Sequence, residues 1–157
     1  MKKAICMLTL GLIFLVGSPA VWAQSSVPTI QGGVQGIELC PQFICHAAIF
    51  TGVFQGQVGL NPNAVGIITA AMTHEDLPTE IGDWAAITGG AWELRTLTRR
   101  IRGVVNGGRI TYLGNDIFAI SIEMELRSGG VGVIAFGGFL DHTTLIPTFG
   151  GNLVQVP

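Results

Sequence analysis

Between residues 117 and 126 every second side chain is large and apolar. Phe118, Ile120, Ile122, Met124 and Leu126 alternate with Ala119, Ser121, Glu123 and Glu125. A period of two is the signature of a half-buried β-strand. The same period runs through residues 44–60, where Phe50, Gly52, Phe54, Gly56 and Val58 share one face and Thr51, Gln55 and Gln57 the other. Asn61-Pro62-Asn63 reads as a turn, and Ala64–His74 as the next strand. Residues 75–84 hold Pro78 and Gly82 and read as a loop, with at most one short helical turn over Thr79–Ile87. Ala85–Arg95 is a third strand, in which Gly89-Gly90 predicts a bulge or sharp bend. Arg99–Val105 and Arg109–Leu113 follow as two strands around a turn or bulge at Asn106-Gly107-Gly108. Ile117–Leu126, Val131–Asp141 and Thr148–Val156 bring the count to about eight.

This punctuation predicts an all-β chain, an antiparallel meander after an N-terminal signal peptide. Glycines recur inside the strands, where they permit coiling and close strand approach. A sparsely charged sheet with open edges invites aggregation, and closure removes the edges. The expectation is therefore a small closed barrel rather than an open sandwich. It assigns residues 1–23 to the signal, 24–38 to a flexible lead-in or edge strand, and 39–157 to the barrel.

The signal is read from Lys2 and Lys3, followed by an apolar run from Ala4 to Val16 broken only by Thr9. That length suits the apolar region of a secretion signal and falls short of the ~20 residues of a bilayer span. Val21-Trp22-Ala23 places small residues for cleavage after Ala23. Export from a bacterium follows, with the product periplasmic or secreted. Both lysines leave with the signal, so six arginines face ten carboxylates and the formal charge becomes −4. That disfavours a general binder of nucleic acid or anionic membrane. Charged residues make up about 12% of the remaining chain, half the ~25% of an ordinary soluble domain. Self-association is one expected consequence; the other is a compact barrel covered by Thr, Gln, Asn and Ser. Cys40 and Cys45 remain after cleavage and are expected to form a disulfide in an oxidising compartment. A metal site of Cys40, Cys45 and His46 lacks the four-ligand spacing of structural zinc, and neither a metal nor another cofactor is expected.

The stretch from Ser128 to Asp141 (SGGVGVIAFGGFLD) resembles the late hairpin of the allene oxide cyclase and dirigent-like β-barrel proteins, with Val131 where that hairpin has threonine. The resemblance covers about 14 residues and the general meander. It implies a barrel. Proteins of that kind include plant cyclases, proteins that steer radical coupling, and bacterial proteins without an assigned activity. No functional residue carries over.

Candidate chemistry gathers at three places. His74 lies in Thr-His-Glu-Asp and His142 follows Asp141, so either could serve as an acid or base, with Glu93 as a further catalytic candidate. The competing reading is a hydrogen-bonded turn histidine; a three-histidine metal site requires the fold to gather His46, His74 and His142. Five of the six arginines fall within fifteen residues, and Arg95, Arg100 and Arg102 are candidates for binding carboxylate, phosphate or sulfate. Against this stands cross-strand pairing with Glu93, Glu123 and Glu125. Trp84 and Trp92 are candidates for stacking on a ligand at a barrel mouth, or for packing. No nucleophile elbow, phosphate-binding glycine loop or HExxH is present. The favoured expectation is a non-enzymatic exported barrel, binding a small apolar ligand or serving a structural role outside the cell. The alternatives are a cyclase- or isomerase-type enzyme with acid and base groups at the barrel mouth, and a self-assembling surface or matrix protein. No membrane span is expected after cleavage, and an outer-membrane barrel is disfavoured by a chain with one Tyr and no terminal aromatic.

Overall fold

The computed structural model describes residues 29–40 and 46–156, and they form a closed barrel of eight antiparallel strands. The strands are β1 (Ile30–Leu39), β2 (Ala47–Val58), β3 (Asn61–His74), β4 (Trp84–Thr96), β5 (Arg100–Gly114), β6 (Ile117–Ser128), β7 (Val133–Asp141) and β8 (Thr148–Val156). Each pairs with its neighbours in chain order, and β1 closes the ring on β8, with Val34 opposite Gly151 and Ile37 opposite Thr148. The signal peptide and its cleavage site lie outside the described residues, as does Cys45.

The expected number of strands is met, but two assignments differ. Residues 30–39 are neither a lead-in nor an edge. They are β1, paired on both sides with β2 and β8. Conversely, Arg99–Val105 and Arg109–Leu113 are one strand, β5. Asn106-Gly107-Gly108 does not reverse the chain; the register slips between Val105 and Gly107, and the strand bends and continues. The turn expected at Asn61–Asn63 falls earlier, at Gly59-Leu60. Gly59 adopts φ 62° there, and Asn61 already pairs with Val58. Pro62 lies in the register irregularity that follows, where no ladder hydrogen bond needs its missing N–H. No helical turn forms over Thr79–Ile87. The bulge expected at Gly89-Gly90 falls one residue earlier: Thr73 faces Gly89 while His74 faces Ile87, so Thr88 is the extra residue.

Alternation sends one face of every strand inward. Phe50, Phe54, Phe118, Phe136, Phe149 and Trp92 meet there with Ile, Leu, Val and Met side chains. In β1 the inward positions read Ile30, Gly32, Val34, Gly36 and Glu38. The two glycines leave room for neighbouring rings: a Cβ on Gly32 would stand 2.8 Å from Phe54, and one on Gly36 2.7 Å from Phe149. The strand looks weakly hydrophobic in sequence because its share of the core is filled from elsewhere. Trp92 fills the space over Gly103, and its Nε1 has no hydrogen-bond partner among the described residues. Among these side chains lies a void of about 30 Å³ with an apolar lining that includes Phe50, Met72, Met124 and Phe149. Such a void has room for about two waters, and an apolar lining keeps it dry.

Candidate functional site

The ends of the barrel differ in chemistry. One rim carries the C-terminal ends of β1, β3, β5 and β7, and the pairings bring all three histidines to it. Seven of the ten acidic residues lie there as well: Glu38, Glu75, Asp76, Glu80, Asp83, Asp116 and Asp141.

At this rim the central pair is one that adjacency in sequence could not reveal. Glu38 points inward from the end of β1 and is 2% exposed. Its Oε2 lies 2.7 Å from His142 Nε2, across 104 residues of chain. The His142 backbone N–H is anchored on the Asp116 carbonyl, and its ring packs 5.2 Å from Phe118. Glu38 N–H donates to the Pro147 carbonyl, and Cys40 Sγ lies 3.8 Å from Glu38 Oε1. The pair therefore ties the end of β1 to the segment joining β7 and β8.

The carboxylates next to each histidine in sequence go elsewhere. Asp141 accepts from the Thr143 hydroxyl and N–H, which hold its carboxyl below the usual range. Glu75 accepts from the Ala86 N–H, and Asp76 lies 3.5 Å from His46 Nε2. His74 is buried, with Nδ1 2.6 Å from the Glu75 carbonyl. A carbonyl only accepts, so Nδ1 carries the proton and the ring is held as a turn histidine. Although the three histidines share a rim, no three His, Cys, Asp or Glu side chains converge as a metal site among the described residues. Leu77, from the loop after His74, packs onto the core at the mouth.

Glu93 does not join His74 or His142, so the catalytic grouping expected from sequence does not form. It projects from the outside of β4 toward the opposite rim. Three guanidiniums converge on it: Arg95 Nη2 at 2.9 Å from Oε1, Arg100 Nε at 2.8 Å and Arg102 Nε at 2.7 Å, both from Oε2. These contacts lower its carboxyl pKa to about 2, the hydrogen bonds of Arg100 and Arg102 acting most strongly. The expected pairing is thus more lopsided than one carboxylate per arginine. Glu125 pairs with Arg127, and Glu123 lies 3.5 Å from the Asn106 amide.

A carboxyl with a depressed folded pKa adds stability above its unfolded value, and that increment disappears as pH falls through the folded one. The stability difference between the native protein and Glu93→Gln is therefore expected to be full at pH 6 and to shrink between pH about 4.5 and about 2. Urea midpoints across that range check it, and a difference independent of pH would contradict it. Salt should shrink it too, since the groups are exposed.

The tryptophans separate. Trp92 is 3% exposed inside the barrel, so it is core and not a mouth residue. Trp84 is half-exposed at the histidine rim, with the Arg109 guanidinium 4.4 Å above its ring. Of the sequence-derived candidates, then, the fold brings together Arg95, Arg100 and Arg102 with Glu93. Glu38 was missed because residues 30–39 did not read as a full strand. The signal was present, since Ile30, Val34 and Glu38 fall on one face of any strand drawn there. No protein-family model, curated protein or solved structure matches this chain.

Proposed function

We propose that this protein is an exported, non-enzymatic barrel with a structural role, acting through its outer surface. The observation that carries the reading is the filled interior. Rings and branched side chains occupy the space where a hollow barrel would hold a ligand, and the remaining void of about 30 Å³ is too small for one. The inner void is lined without Glu38, His74 or His142, so it offers an acid/base pair at the rim no substrate chamber. The apolar inside also departs from the polar interior of an outer-membrane barrel. The apolar run before Ala23 supports export, and oxidation of Cys40 with Cys45 would suit that destination.

The test uses mature protein recovered from an exporting bacterium and titrated with Nile red, a neutral apolar probe. No saturable binding to the native protein is expected. One-site binding at micromolar probe would overturn the structural reading and restore a ligand-carrying one.

Self-association is a second reading, favoured by a separate observation. Strands β1, β2, β3 and β8 present no Asp, Glu, Lys or Arg to the outside, while Ile49, Val53, Val65, Ile67 and Val154 are exposed there. A groove of about 660 Å³ crosses the same side, floored by Gly33 and Gly137 and bordered by Gln35, Gln55, Phe139 and Asn152. Sedimentation velocity is expected to show oligomers that Val53→Glu with Ile67→Glu disperses. A native protein that stays monomeric at high concentration would remove this reading and leave the first intact.

A further inference from the structure

We propose that Arg100 and Arg102, clamped side by side by Glu93, form a receptor for a tetrahedral oxyanion, the sulfate or phosphate monoester of an extracellular ligand. The inference goes beyond the structural role above and does not depend on it. Both residues project outward from β5, two positions apart on one face. Each uses only its Nε–H on Glu93, and on the same oxygen, Oε2. The terminal nitrogens of both guanidiniums make no hydrogen bond among the described residues. Two forks of donors are thereby held next to each other at one surface point, with the carboxylate behind them.

The arrangement is costly for a barrel that needs only to fold. Arg95 and Arg100 are directly opposite each other across β4 and β5, and like charges in that position are destabilising. Three cations share one carboxylate, so the cluster keeps a surplus of two positive charges. Arg99 adds another in the adjoining turn. This surplus stands out on a mature chain of formal charge −4 whose acids crowd the far rim. Planar guanidinium forks match the oxygen spacing of sulfate and phosphate, and Glu93 holds them in place before a ligand arrives. With its carboxyl pKa lowered to about 2, Glu93 stays ionised at neutral and mildly acid pH, where such a ligand is charged as well. At about half exposure each, Arg95, Arg100 and Arg102 remain open to a group carried on something large.

The experiment follows the arginine Nε–Hε resonances of the mature protein by NMR. Inorganic sulfate, inorganic phosphate and acetate are titrated with ionic strength held constant by chloride. Saturable shifts at millimolar sulfate or phosphate are expected at Arg95, Arg100 and Arg102, with Arg109 unmoved and acetate at least tenfold weaker. Arg100→Gln with Arg102→Gln should abolish them. Glu93→Gln is the discriminating variant. A built receptor loses its clamp and binds at least fivefold more weakly, although the net charge has risen by one. Tighter binding to Glu93→Gln would overturn the proposal, because it would show bulk attraction alone. Equal shifts at all six arginines, or none at 50 mM anion, would also overturn it. Dextran sulfate beads and vesicles containing phosphatidic acid then separate a polymer from a lipid surface as carrier. Retention on either, lost in the double arginine variant, supports the proposal, and retention on neither counts against it.

Discussion

Gly36→Ala is expected to destabilise the barrel by about 3 kcal/mol or to prevent folding, while Gly33→Ala on the same strand leaves stability unchanged or raises it by up to ~1 kcal/mol. Both glycines have ordinary extended backbone, so the difference is purely one of space. The Gly36 position faces inward opposite Gly52, where an added Cβ would meet the Gly52 Cα at 2.5 Å and the Phe149 ring at 2.7 Å. The first of these is backbone and cannot swing aside, and strand β1 would have to move off β2. Above Gly33, on the outer face, nothing lies within 4 Å. A methyl there meets open space and lowers the entropy of the unfolded chain. Urea unfolding of the two variants beside the native protein decides the matter. Equal effects would mean that β1 does not pack with this register.

The second large effect is expected at the rim. His142→Ala should cost about 3 kcal/mol, because it withdraws the imidazole from a carboxylate that is 2% exposed. His142 itself is partly open to solvent, so water can enter the space it leaves, and this keeps the figure at the lower end for a buried pair. Glu38→Gln keeps the shape and an acceptor oxygen and should cost less than half as much. The double variant, measured with both singles, should return a coupling of about 1–3 kcal/mol. A His142→Ala cost below ~1 kcal/mol would show that the remaining contacts of Glu38 suffice, and that the pair does not fasten β1 to the β7–β8 connection.

These two sites mark where reading the chain succeeded and where it stopped. Alternation alone placed β6 to within two residues, because its large side chains fill their own share of the core. Alternation failed on β1, where two of the five inward positions are glycine. There the core volume comes from Phe54 and Phe149 on other strands, and a local pattern cannot show a side chain that arrives from elsewhere. The split of β5 was an error of the opposite kind. Asn106-Gly107-Gly108 has the composition of a turn, yet the same residues bend a continuous strand when partners wait on both sides. At Asn115-Asp116, in contrast, composition and structure agree: both residues take positive φ (53° and 57°), as a two-residue hairpin requires.

The candidate sites divide in the same way. Arg95, Arg100 and Arg102 were visible as a cluster because they are close in sequence and share the outward parity of adjacent strands. Their convergence on the single carboxylate of Glu93 depended on which residues face each other across β4 and β5. His74 and His142 drew attention through neighbouring acids that turned out to be irrelevant, since adjacent residues on a strand point apart.

By itself, then, the chain's alternating pattern and glycine-rich turns determined an antiparallel all-β fold, and its scarcity of charge favoured closing that fold on itself. These are local or additive properties, and they survive without knowledge of partners. Only the tertiary structure decided that β1 completes the ring, that the interior is full, and that Glu38 meets His142. Each of those depends on volumes and distances between residues far apart in sequence, which exist only once the sheet has closed.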